Sequence, residues 1–201
     1  MRTAYTPGHT YHLFNHANGW DTLFYNEDNY TYFLKKFAEK IHPVVDTFAY
    51  CLIPNHFHFL VRIKSELELY KFYQKKKNLT MRQLDELFKS EKMTFDKIVW
   101  LQIKGWLSGY AQAYNKQHGR TGSLFEQNTK QKLVGTPFYF SNVIHYLHYN
   151  AVHHQIVRRI EDWPHSSFHA YLSLKSTKLK REEVLNWFGG LHSFRNFHQN
   201  L

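Results

Sequence analysis

A single cysteine stands in the 201-residue chain, so no internal disulfide can form. Cys51 lies in an apolar, β-prone stretch, which suits a reducing compartment. No apolar run approaches the roughly 20 residues that a membrane-crossing helix needs, so no membrane partner is expected. The first residues carry no apolar signal core, so export is not expected and a cytoplasmic location is. Internal repeats and low-complexity tracts are lacking. Acidic charge is scarce: 16 Asp and Glu against 26 Lys and Arg leave a net charge of +10. What is there is apolar and aromatic, at 43% and 18% of residues, enough for one good core with room for an appendage. A basic surface rich in aromatic rings suits nucleic acid, because cations engage phosphates and rings stack on unpaired bases.

Residues 9–17 are β-prone and predict a first strand. Asn26 caps a helix whose apolar positions, Tyr30, Phe33, Leu34, Phe37, Ala38 and Ile41, have helical spacing, and Pro43 ends it. Strands are predicted over 44–53 and 56–63, joined by the turn signal Pro54-Asn55. A Lys-rich amphipathic stretch over 65–92 reads as a solvated helical excursion. A long helix from Ile98 to His118 stops at Gly119-Arg120-Thr121-Gly122, and a fourth strand follows at 127–134. Pro137 opens a helix to about residue 153, with Phe138, Val143, Ile144, Leu147 and Val152 as its apolar face. From Asp162-Trp163-Pro164 onward short helices are expected, and the polar, aromatic end after Gly189-Gly190 reads as mobile. The order β-α-β-β-α-β predicts an α+β, ferredoxin-like antiparallel sheet with extra C-terminal helices. All of 1–201 is read as one domain, with its core at about 9–153 and a helical tail at about 160–201.

The stretch Leu52-Ile53-Pro54-Asn55-His56-Phe57-His58-Phe59-Leu60-Val61 carries the most chemistry. Strand residues i and i+2 share a face. His56 and His58 therefore present two imidazoles side by side, with Phe57 and Phe59 turned to the core. Alone the pair is a weak signal, since 15 histidines give roughly one His-x-His by chance. The plain alternative is two ordinary strand histidines. A third ligand is available where a helix docks beside this hairpin: Tyr146 and Asn150 share a helix face at i and i+4. Asn150 offers an oxygen, and two imidazoles with an oxygen and no thiolate suit Mg²⁺ or Mn²⁺ at work on phosphate. Tyrosine attack on a phosphodiester would conserve bond energy in a phosphotyrosine link. The residues alone leave Tyr146, Tyr149, Tyr139 and Tyr114 open for that role, and core packing open for each.

The Leu52-to-Val61 stretch resembles the Pro-Asn-His-x-His strand of the HUH-endonuclease superfamily. Tyr146-Leu147-His148-Tyr149-Asn150-Ala151-Val152 resembles the Tyr-Ile-x-x-Asn-Pro-Val helix of its single-tyrosine transposases, most nearly the REP-associated (RAYT) type. The segment from Tyr114 to Phe125 is similar to the Tyr-x-x-x-Asn-x-x-x-x-x-x-Gly-x-Leu-Phe type segment ahead of the fourth strand. Asp162-Trp163-Pro164-His165-Ser166-Ser167-Phe168 resembles the Trp-x-x-Ser-Ser segment after the catalytic helix. Four motifs in order are more specific than any one. The resemblance covers roughly residues 9–172. It implies metal ligation by His56, His58 and Asn150, and Tyr146 as nucleophile. It implies cleavage and rejoining of single-stranded DNA near a hairpin through a 5′-phosphotyrosine, with no nucleotide cofactor. It leaves monomer and homodimer both open.

The chain departs from that pattern at Ala151-Val152-His153-His154, where the family has Pro-Val-Arg-Ala, and in the length of the 65–92 segment. Neither departure removes His56, His58 or Tyr146. Lys116, Arg120, Lys130 and Lys132 flank the fourth strand and are the expected DNA contacts, against the plain reading of solvated side chains. Rival readings are a relaxase or replication initiator, a host-adapted binding protein that mobilises nothing, and a non-catalytic RNA-binding module of the same topology.

Overall fold

The computed structural model describes residues 3–199. Its elements run β1 (Thr10–His16), α1 (Glu27–Lys40), β2 (Val45–Ile53), β3 (His56–Ile63), α2 (Glu66–Lys77), α3 (Met81–Lys89), α4 (Phe95–Gln117), β4 (Lys130–Leu133), α5 (Pro137–His153), α6 (Phe168–Leu172), α7 (Arg181–Trp187) and α8 (Leu191–Gln199). The four strands form one sheet in the order β2-β3-β1-β4, each neighbour antiparallel. Among the described residues no helix is long and apolar enough to cross a membrane.

Local signals set most element ends. The Asn26 side chain accepts the Asn29 N–H at 3.1 Å to start α1. Thr136 accepts the Tyr139 N–H and Pro137 takes the first position of α5, where its missing N–H costs nothing. β4 is shorter than the 127–134 expected, because the Asn15 side chain intervenes. Its Nδ2 donates to the Glu126 carbonyl and the Thr129 hydroxyl, each at 3.2 Å, and this replaces ladder pairing ahead of Lys130.

The sheet separates two cores. On one face Phe57, Phe59, Phe33, Phe37 and Trp106 pack among α1 and α4, with Phe37 stacked on Phe59 at 4.0 Å. On the other, Ala49 and Leu60 meet Val143, Ile144 and Leu147 of α5 and Phe168, Tyr171, Val184 and Phe194 of the later helices.

Four expectations need correction. The 65–92 stretch is helical but no solvated excursion: both helices are closed by capping boxes, and Leu69 and Leu84 are fully buried in the first core. Residues 163–167 are not helical; they run along the free edge of β2, with Leu52 N–H bonded to the His165 carbonyl and Ser167 N–H to that of Tyr50, each at 2.9 Å. That covers an edge that would otherwise template foreign strands. The end after Gly190 is a docked helix, with Phe194 fully buried. Phe138 is exposed rather than core-facing. It precedes Leu147 by about two and a half helical turns, which puts it on the opposite side of α5.

Candidate active site

Antiparallel register decides which side chains share the α5 face of the sheet. His16 stands opposite His56, Phe14 opposite His58, and His12 opposite Leu60. Directly opposed residues point the same way. β1 thus delivers His12, Phe14 and His16 to the face that carries His56 and His58. The rings form a row: His16 stacks on His56 at 4.3 Å, His56 stands edge-on to His58 at 5.0 Å, and His58 lies tilted beside His12 at 5.0 Å. His154, just past the end of α5, closes on His56 at 4.7 Å.

α5 lies over this row. Asn150 is fully buried, and the half-exposed Tyr146 ring stands edge-on to His58 at 5.6 Å and to His12 at 6.0 Å. The structure thus gathers His56, His58, Tyr146 and Asn150, as expected from the sequence. Tyr149 and Tyr139 lie on the same helix but make no ring contact with these histidines, and Tyr114 is committed to the core by a hydroxyl bond to the Thr22 carbonyl.

The polar atoms are unevenly satisfied. His56 Nδ1 is 2.9 Å from Asn55 Oδ1, which requires the proton on Nδ1 and leaves Nε2 as the lone-pair nitrogen. His58 Nδ1 is 2.8 Å from His12 Nε2. His58 Nε2 and both amide atoms of Asn150 are buried with no hydrogen-bond partner. Asn150 lies close enough to His56 and Tyr146 to bias the titration of both, yet makes a well-directed bond to neither.

Burial sets the charge state. It pushes His56 down to about 3, helped by His16 and His154, while Asn150 opposes the shift. Burial, then His12 and the other histidines, holds His58 well below its usual range. Burial and the nearby Lys132 push His12 down to about 4. The cluster is therefore neutral near pH 7 and offers lone pairs, as metal ligation requires. Burial raises the Tyr146 phenol, which stays protonated. Among the described residues no three His, Cys, Asp or Glu side chains converge in metal-holding geometry; the set at hand is two imidazoles and an amide.

The four expected DNA contacts divide. Lys132 stands opposite His12 on the site face, its ammonium 6.0 Å from the Phe14 ring, and Lys130 beside it pairs with Glu126 at 3.2 Å. Lys116 is exposed near the end of α4. Arg120 is occupied: its guanidinium bonds Asp21 and, at 2.8 Å, Asn115 Oδ1, tying the β1–α1 loop to the end of α4. The Tyr114–Phe125 motif is thus a brace for that loop, with Asn115 Nδ2 on the Gly122 carbonyl at 2.9 Å and Leu124 and Phe125 in the core. A cleft of about 890 Å³ between α4 and residues 123–131 opens on the opposite side and contains none of the clustered histidines.

His12, His16 and His154 were not singled out from the sequence. The available signal was the period-2 spacing of His12 and His16 in a predicted strand; their meeting with His56 and His58 needs the register.

The sequence matches no described family profile. It is 27% identical over 130 residues to a Haemophilus influenzae protein described as a REP-associated tyrosine transposase, a match that covers 64% of this chain and 61% of that one. The match thus spans less than two thirds of that curated relative. The fold is similar, with a TM-score of 0.56 and 14% identity, to a REP-associated tyrosine transposase solved bound to a REP hairpin, over 86% of this chain and 84% of the other. In sequence and in fold, the chain resembles REP-associated tyrosine transposases.

Proposed function

We propose that this chain is a metal-dependent tyrosine transposase that cleaves and rejoins single-stranded DNA at hairpin-containing ends, built on a ferredoxin-like core. The observation that carries this reading is the set of orphaned polar atoms beside the Tyr146 phenol: His58 Nε2 and the amide of Asn150. Buried polar groups nearly always find partners, and exceptions call for a reason. A divalent cation held by His56, His58 and Asn150 supplies one. Two neutral nitrogens with an amide oxygen suit Mg²⁺ or Mn²⁺. When bound, such an ion polarises the scissile phosphate and stabilises the departing 3′ oxygen.

The chain's own residues do the rest. Asn55 orients the His56 ring through Nδ1. Tyr146 Oη attacks phosphorus and its proton passes to solvent. The bond from phosphorus to the 3′ oxygen breaks, that oxygen takes up a proton, and the 5′-phosphate remains esterified to Tyr146. Attack by a free 3′-OH on this ester restores the phenol and joins the strands, so no nucleotide energy source is needed. Lys130 and Lys132 supply cations beside the site. The REP hairpin held by the structural relative supports hairpin DNA as the substrate class.

The test is incubation with labelled single-stranded hairpin DNA from the flanks of the chain's own gene, with Mn²⁺ or Mg²⁺, resolved on a denaturing gel. A covalent protein–DNA band that a chelator abolishes is expected. Tight binding to several hairpins with no covalent band would replace this reading with a host-adapted or non-catalytic nucleic-acid-binding protein.

A further inference from the structure

We infer that His12 is a positioning residue: it accepts the Nδ1 proton of His58 and so fixes the tautomer that leaves a lone pair on His58 Nε2. The inference rests on the reading of His56, His58 and Asn150 as a ligand set. Both rings are buried and their nitrogens are 2.8 Å apart. A neutral imidazole carries one proton, so this contact has two arrangements. If His12 donates, the proton of His58 must sit on Nε2, where it is a buried donor with no acceptor. If His58 donates, Nε2 is a bare lone pair, ready for a cation. Only the second arrangement makes His58 a ligand.

His56 offers an independent parallel. Its Nδ1 faces the side-chain oxygen of Asn55 at 2.9 Å, which imposes the same tautomer from a different element. Each histidine of the pair thus has an Nδ1 partner. Ligating histidines depend on such partners for ring orientation and basicity. The β1 register makes His12 a diagonal neighbour of His58, one pair along from Phe14 on the shared face. Backbone pairing thereby holds its ring where the bond needs it. His12 also stands edge-on to Tyr146 at 6.0 Å, so the same ring borders ligand and nucleophile.

Two measurements test this without recourse to DNA cleavage. Long-range ¹H–¹⁵N correlation spectra of the histidine side chains in metal-free protein read the His58 tautomer directly. Proton on Nδ1 is expected; proton on Nε2 overturns the inference. Mn²⁺ affinity, followed by the EPR signal of free Mn²⁺, is then compared among the parent protein, His12→Leu and His12→Gln. A loss of about 10- to 100-fold is expected in His12→Leu. His12→Gln keeps an acceptor near the position of Nε2 and should recover most of it. Parent-like affinity in a folded His12→Leu protein overturns the inference and leaves the ligand set standing. If the parent takes up no Mn²⁺, the ligand set falls, and the tautomer spectrum still decides the part of His12.

Discussion

The two faces of the sheet are built from the same strands and obey opposite rules. Toward α1 and α4, β3 sends Phe57 and Phe59 into a dry aromatic core, where Phe33, Phe37 and Trp106 leave neither ring exposed. Toward α5 the residues between them, His56 and His58, are nearly as buried, yet His58 Nε2 and both amide atoms of Asn150 cluster there with no partner, whereas the unpartnered Thr47 Oγ1 and Gln131 Oε1 of the first face lie apart on the two edge strands. Strand alternation puts the aromatic core on one side and a cluster of unsatisfied polar atoms on the other, a single residue apart. The α5 helix repeats the division. His148 points away from the site and is fully satisfied, with Ser167 at 2.7 Å and His198 at 2.8 Å, whereas Asn150, two residues on, is satisfied at neither amide atom.

The sharpest way to break this comparison is to change each side alone. Tyr146→Phe should reduce the covalent DNA adduct to background while the unfolding free energy from urea titration stays within about 0.5 kcal/mol, because the phenol lies at the exposed rim. A persistent adduct would move the nucleophile to another tyrosine. Phe59→Ala should do the reverse in kind. The ring is fully buried against Phe37 and Trp106, so truncation should cost about 3–5 kcal/mol of stability. A loss below about 1 kcal/mol would mean that the dry face does not carry the fold.

Acid should weaken the α5 side. Burial pushes His198 from 6.5 down to about 4, and holds His148 well below its usual range. Between pH 6.5 and 4 the unfolded chain binds protons that these native side chains refuse, so stability falls as pH drops through that window. At 1.36 kcal/mol per unit, His198 alone accounts for up to about 3 kcal/mol, fully present only above pH 6.5. Urea midpoints at pH 7.5 and 5 check this. A flat profile would show that His148 and His198 are already charged or already exposed.

Smaller still is the effect of emptying the site. Asn150→Leu replaces two unpartnered polar atoms by methyl groups with the same number of heavy atoms, so relief of the unsatisfied amide, worth about 1–3 kcal/mol, offsets the cost of the added bulk and stability should hold while the adduct disappears. Mn²⁺ at about 100 times its dissociation constant should stabilise the parent by about 2.7 kcal/mol and leave Asn150→Leu unmoved. A destabilisation beyond the about 1–3 kcal/mol that the added bulk can cost would mean that the amide makes a native bond to His56 or Tyr146 after all.

How far the site was legible follows from how local each part is. Pro54-Asn55 fixes β3 at His56, and Thr136-Pro137 fixes α5, so both carriers of chemistry could be bounded from neighbouring residues. Tyr146 and Asn150 share a face by helix period alone. His12 could not be assigned in this way: its bond to His58 joins residues 46 apart and exists only in one β1–β3 register. The shortening of β4 likewise depends on one side chain, Asn15, reaching across to Glu126 and Thr129. The turn at 163–167 departs from the expected helix because Trp163 and the serines satisfy the β2 edge, a partner that no local pattern announces.

The faintest effect concerns charge at the rim of the site face. Lys132 stands opposite His12 and points to the α5 side, whereas Lys116 lies near the end of α4. A phosphate seated over the histidine row comes within reach of the first lysine before the second. Each phosphate contact on a single strand contributes about 0.7 to the slope of log affinity against log salt. Lys132→Glu should therefore lower that slope by about 0.7 and weaken hairpin binding equally across sequences, since a phosphate contact carries no base information. Lys116→Glu is the comparison within the same charge class. If its slope falls as far, DNA crosses from the site face to the end of α4, and the occupied Arg120 marks where that path turns. If only Lys132→Glu changes it, the bound strand stays on the histidine face. An unchanged slope in both removes these lysines from the interface and leaves the cations around α5 to be tried next.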